Sequence, residues 1–130
     1  VACGHRILHA NDMKVRLRLA DQDIFYHPDV LLSCDPSDRE TYYSTAPCIV
    51  VEVLSESTER IDRREKLCAY TTLPSLQDYM LVSQTRREVW HHSRSRGWVA
   101  DVLTDGRLTL DCLDLELTLA AIYEELDGLA

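Results

Sequence analysis

The sequence predicts a single α/β domain. Short runs of β-branched and aliphatic residues, bounded by turn signals, read as strands, and two stretches carry helix start and stop chemistry. The chain has 130 residues, enough for one real core and close to the common domain size. It is 45% hydrophobic and 28% charged, a balance of soluble globular domains rather than disordered ones. No apolar run approaches the roughly 20 residues of a membrane helix, so no membrane span is expected.

Met13 to Leu19 alternates, with Val15, Leu17 and Leu19 inward, and predicts a strand with one wet face. Ala20-Asp21-Gln22-Asp23 is a turn, and Ile24-Phe25-Tyr26 returns from it. His27-Pro28-Asp29 interrupts, because proline cannot donate a ladder bond. Val30 to Cys34 resumes as a mostly buried strand, and a polar loop runs from Asp35 to Pro47. Cys48-Ile49-Val50-Val51-Glu52-Val53-Leu54 reads as a strand buried on both faces. Ser55-Glu56-Ser57-Thr58 supplies capping groups for a helix from about Thr58 to Thr72, which Pro74 ends. Asp78 to Ser83 and Glu88 to Ser93 are further strands, and the Arg96-Gly97 turn leads into Trp98 to Leu103. Asp105-Gly106 signals a hairpin before Leu108-Thr109-Leu110, and Leu117 to Leu126 is a closing helix capped by Thr118.

Glu52 breaks the pattern of its strand. It shares a face with Val50 and Leu54, where a carboxylate loses hydration and needs a partner or a metal. On the following helix, Lys66 falls in the stripe of Ala69, Tyr70 and Leu73. Its stem can lie along the core and deliver the ammonium to the sheet end, or it can pair with Asp62 at i, i+4. Asp29 follows Pro28 at a strand start, a position open to a turn role as well as to chemistry. Two carboxylates on successive strands suit a hard cation such as Mg²⁺, and a nearby ammonium suits an attacking water or a phosphoryl transition state.

Other features narrow the field. Net charge is −8, opposite to the basic footprint of most duplex-binding proteins. The denser basic stretches are Arg60 to Lys66, Arg86-Arg87 and Arg94-Ser95-Arg96, the first of them interleaved with acids. Five cysteines without a C-x-x-C pair suggest separate reduced thiols in a cytoplasm. His91 and His92 point to opposite faces of a strand and are expected as surface or sheet residues rather than joint ligands. Trp90 and Trp98 offer a self-association face, from which a homodimer is an expectation, or else core packing.

The segments Tyr26-His27-Pro28-Asp29-Val30, Val51-Glu52-Val53-Leu54-Ser55-Glu56-Ser57-Thr58, and Asp62 with Glu65-Lys66-Leu67 and Tyr70 resemble the Uma-two family. The similarity continues through Leu73-Pro74-Ser75-Leu76, the Tyr79 to Ser83 strand and Leu115 to Tyr123. It implies a restriction-endonuclease-like α/β fold of the PD-(D/E)xK type, a mixed central sheet flanked by helices. It also implies a Mg²⁺- or Mn²⁺-dependent endonuclease acting on DNA. Asp29 matches the metal-binding aspartate and Glu52 the second metal carboxylate. The lysine that usually follows two residues later is Leu54 here, and Lys66 matches its relocated counterpart on the helix. Ser55, Ser57 and Asp62 are supporting or capping candidates, and Ser83 stands where many relatives carry aspartate. Residues 1–130 are read as one such domain, with the family's N-terminal helical segment expected upstream. The competing expectation is a non-catalytic binding or self-assembly module that retains the fold.

Overall fold

The computed structural model describes residues 7–10, 13–38, 42–54, 63–110, 112–113 and 115–129. Four strands open the chain: β1 (Ile7–Ala10), β2 (Lys14–Leu19), β3 (Gln22–Tyr26) and β4 (Val30–Ser33). The short β5 (Tyr43–Ser44) precedes β6 (Pro47–Leu54), α1 (Arg63–Tyr70), β7 (Asp78–Ser83) and β8 (Val89–Ser93). Then come β9 (Ala100–Leu103), β10 (Arg107–Leu110), β11 (Leu115–Thr118) and α2 (Leu119–Leu129).

The main sheet has six strands in the order β1-β4-β6-β7-β8-β9. It is mixed: β6 and β7 are parallel, joined through α1, and every other neighbouring pair is antiparallel. A three-stranded sheet, β3-β2-β5, and the β10-β11 pair complete the strands. The mixed α/β architecture predicted for the chain is therefore present.

All six residues of β7 are buried, and their alternation divides the core in two. Tyr79 and Leu81 pack with Val50 and Leu54, with Val15 and Leu17 of β2, and with Ala69 and Tyr70 of α1. Met80 and Val82 pack the other way, with Ile49, with Leu108 and Leu110 of β10, and with Leu119 of α2. Glu52 thus lies in a strand covered on both sides.

Several expectations are corrected. The Asp105-Gly106 turn does not make a hairpin of the strands around it, because β9 pairs with β8 and β10 with β11. Trp98 is not in a strand: it follows a 3₁₀ turn at Arg94–Arg96, and both Gly97 and Trp98 have positive φ. Residues 115–118 are extended, so the last helix starts at Leu119, although Thr118 still caps it by accepting the Ala121 N–H at 3.1 Å. His91 and His92 are sheet residues of β8, the second of the two places expected for them, and both are buried: His91 meets Asp78 and His92 meets the Trp98 carbonyl. Of the two roles weighed for Trp90 and Trp98, core packing is the one present: both are half-buried against the core and covered by Arg63 and Arg94 respectively.

The cysteines are not separate either. Between Leu32 and Ser33 the β4-β6 register slips, Leu32 facing Ile49 and Ser33 facing Pro47. Cys48 is the extra residue of this bulge. Alternation alone would put it beside Val50, yet it packs on the other side of the sheet. There it is joined in a disulfide to Cys112.

Candidate functional site

Asp29 sits where β4 begins. Continuing the register from Val30 opposite Val51 places it across from Glu52. Beyond Val30 the β6 edge loses its antiparallel neighbour, and the Asp29 carboxylate takes over: Oδ2 accepts the Val53 N–H at 2.7 Å. The turn role considered for Asp29 is thus real for one oxygen. Among the described residues, Oδ1 has no hydrogen-bond partner.

Glu52 is 5% exposed. Its Oε1 lies 3.2 Å from Lys66 Nζ, and its Oε2 accepts the Tyr79 hydroxyl at 2.9 Å. Lys66 therefore turns toward the sheet, and its ammonium also lies 5.5 Å from the centroid of the Tyr26 ring. Three rings line the site: Tyr26 meets Tyr70 at 5.4 Å, and Tyr70 meets Tyr79 at 5.1 Å.

Burial and then the Glu52 charge push the Tyr70 and Tyr79 hydroxyls well above the usual phenol range. Both stay protonated across the working range and can serve Glu52 only as donors. The Tyr70 hydroxyl is buried without a hydrogen-bond partner among the described residues, and it feels the charge of both Glu52 and Asp29.

Asp29, Glu52 and Lys66 are thus brought to one end of the β4-β6 edge. Ser55, Ser57 and Asp62 lie outside the described residues. Tyr70 and Tyr79 are the site members that residue-by-residue reading missed. Their positions carried a signal: Tyr70 is one helical turn beyond Lys66, and Tyr79 faces Val50, two residues before Glu52 on the same side.

The donor set fits a hard divalent cation. An ionised carboxylate offers about four lone-pair sites, and Glu52 uses two of them here. With Asp29 Oδ1 it presents oxygen ligands of the kind Mg²⁺ and Mn²⁺ take. Two carboxylates against one ammonium leave the cluster negative.

A family model described as "Putative restriction endonuclease", Uma2, matches residues 3–121. The chain belongs to the Uma2 family. Two Synechocystis sp. proteins are similar to it. "Uncharacterized protein slr1290" is 38% identical over 133 residues, which cover 95% of this chain and 69% of that protein. "Uncharacterized protein sll1609" is 31% identical over 90 residues, 65% of this chain and 51% of that protein. This Uma2 chain thus spans only part of the length of either relative. Among solved structures, an Anabaena variabilis protein described as a "putative nuclease belonging to DUF820" superposes with a TM-score of 0.67. That match covers 93% of this chain and 69% of the other at 14% identity, so it speaks to fold alone. The Uma2 chain accordingly has a restriction-endonuclease-like nuclease fold. Among the described residues, no helix is long and apolar enough to cross a membrane.

Proposed function

We propose that this Uma2 chain is a Mg²⁺- or Mn²⁺-dependent endonuclease that hydrolyses phosphodiester bonds in DNA within the cytoplasm. The observation that carries the reading is the convergence of buried Glu52 on Lys66 Nζ at 3.2 Å, with Asp29 at the start of the neighbouring strand and its Oδ1 without a hydrogen-bond partner among the described residues. Asp29 Oδ1 and Glu52 would hold the cation. When bound, such a cation neutralises phosphoryl oxygens and lowers the pKa of a bound water.

The chain's own residues then have separable tasks. The Val53 N–H orients Asp29, and the Tyr79 hydroxyl orients Glu52. The Lys66 ammonium is placed to stabilise charge developing on the phosphoryl group or to orient the attacking water. A chain of net charge −8 repels DNA at long range, so binding depends on local cations and weakens steeply with salt.

The test is relaxation of supercoiled plasmid with Mg²⁺ or Mn²⁺, comparing wild type with Asp29→Ala, Glu52→Gln and Lys66→Met. Each variant is expected to lose activity by about 10²–10³-fold. Full activity in both carboxylate variants, or full wild-type activity in excess chelator, would overturn the assignment.

The second reading, a non-catalytic binding or assembly module, is favoured by one observation. Both Glu52 oxygens are already satisfied by Lys66 and Tyr79, so the carboxylate is stable without a metal. Calorimetric Mn²⁺ titration separates the two readings: heat that vanishes in Glu52→Ala supports catalysis, and its absence in wild type supports the module.

A further inference from the structure

The outer face of the β3-β2-β5 sheet interleaves cations with aromatic rings. In β2, Val15 and Leu17 are buried, so Lys14, Arg16 and Arg18 point away from the core. Residues paired across strands share a face, and the register sets Arg16 beside Phe25, Arg18 beside Asp23 and Lys14 beside Tyr43. Phe25 is 45% exposed. Lys14 Nζ lies 5.7 Å from the centroid of the Phe25 ring, and the Arg16 guanidinium lies 5.1 Å from that of Tyr43. The two rings meet edge to face at 5.9 Å. Among the described residues of this face, three cations stand against one carboxylate, Asp23, which meets Arg18 at 3.9 Å.

On a chain of net charge −8, a local surplus of positive charge is a place for an anion. Exposed cation–π pairs are weak and give way when a base stacks on each ring and phosphates take the ammonium and guanidinium. The rings select unpaired bases, because in a duplex the base faces are already stacked on one another. β3 is an edge strand, and its successive residues Phe25 and Tyr26 point to opposite faces. Phe25 stands on the outer face, whereas the Tyr26 ring lies 5.5 Å from Lys66 Nζ. A flexible single strand follows that edge from one ring to the other, and a duplex, stiff over many base pairs, does not.

We propose that the outer face of the β3-β2-β5 sheet binds single-stranded DNA through Phe25, Tyr43, Lys14 and Arg16 and leads it over the β3 edge to the Lys66–Glu52 site. The path to the site rests on the nuclease reading above, whereas binding on the face does not. This face supplies the local cations that an acidic chain needs to hold a polyanion.

The test is fluorescence anisotropy of the whole chain with a short labelled oligothymidylate and with a duplex of the same length, both in excess chelator so that nothing is cleaved. The single strand should bind more tightly, with log affinity falling against log salt at a slope of roughly −2. Phe25→Ala should weaken it about tenfold at an unchanged slope, and Arg16→Gln should flatten the slope by about 0.7. Arg107→Gln, which removes an exposed cation from β10, should bind like wild type. Photo-crosslinking with iodouracil-substituted strands should label Phe25 or Tyr43, and Tyr26 when the reporter sits further along. No single-strand binding, equal or tighter binding of the duplex, or unchanged affinity in both face variants would overturn the proposal. So would crosslinks that stop short of Tyr26. The crosslinking map needs no variant, so it decides the outcome even where a substitution misfolds. Cleavage enters none of these readouts: an inactive site leaves binding on the face standing, and cleavage without such binding sinks this inference alone.

Discussion

Lys66 Nζ stands 3.2 Å from Glu52 Oε1 while the Tyr79 hydroxyl holds Oε2 at 2.9 Å. A buried carboxylate, a lysine from the following helix and a tyrosine from the parallel neighbour strand form one unit. Lys66 keeps 26% of its side chain exposed against 7% for Glu52, so the ammonium is the solvent-facing member.

The pair should behave as coupled. Lys66→Met leaves Glu52 buried without its counter-charge and is expected to cost about 2–3 kcal/mol, somewhat less than breaking a fully buried pair. Glu52→Gln keeps the Tyr79 contact and should cost about 1 kcal/mol. Combining the two should recover stability, with a coupling of about 1–2 kcal/mol in a urea-denaturation cycle. Additivity of the two substitutions would show that the ion pair contributes nothing.

Acid should weaken the fold through two groups with different windows. Burial depresses the His92 pKa below its ordinary 6.5, against the opposing pull of the hydrogen bond to the Trp98 carbonyl. A carbonyl only accepts, so Nδ1 carries a proton, and the depressed pKa keeps the native ring neutral near neutral pH. The unfolded chain therefore binds the additional proton first, and this contribution is full above about pH 6.5 and declines as pH falls below it. Thermal melts between neutral and mildly acidic pH should show that decline, and His92→Asn should flatten it.

Asp38 acts lower on the scale. Burial raises its pKa, but hydrogen bonds from Ser33, Ser44, Thr45 and Ala46 outweigh burial and hold it below the ordinary 3.8. Its contribution is present above the unfolded value and is lost as pH falls through the folded one. Asp38→Asn should cost about 2 kcal/mol at neutral pH and reduce further loss in strong acid. An unchanged denaturation midpoint at neutral pH would contradict this.

The β2-β3 turn carries removable strain. Leu19 faces Gln22, and the two residues between them, Ala20 and Asp21, have φ of 50° and 65°. Positive φ at both central positions is the pattern that favours Asn-Gly. Ala20→Asn with Asp21→Gly should raise stability by about 0.5–1 kcal/mol, read as a higher melting temperature. An unchanged or lower one would contradict the strain assigned to this turn.

Much of this fold was legible because local physics and tertiary context agree. The aliphatic run of β7 and the alternation of β2 each allow one secondary structure, and both strands form where their patterns place them. The oddity of Glu52 in an apolar strand and of Lys66 in an apolar stripe was also visible, since each violates the burial its neighbours impose. The sequence by itself thus determined β2, β4, β6, β7 and β8, α1 and the residues with charge to explain, but not β1, β5 or β11. Only the tertiary structure decided what those residues meet. Which strand lies beside β10, which face Cys48 turns to, and which hydroxyl holds Glu52 all depend on pairing between distant segments. A one-residue bulge reverses a side chain without changing the pattern around it, and no local spacing records a partner brought in from sixty-four residues away.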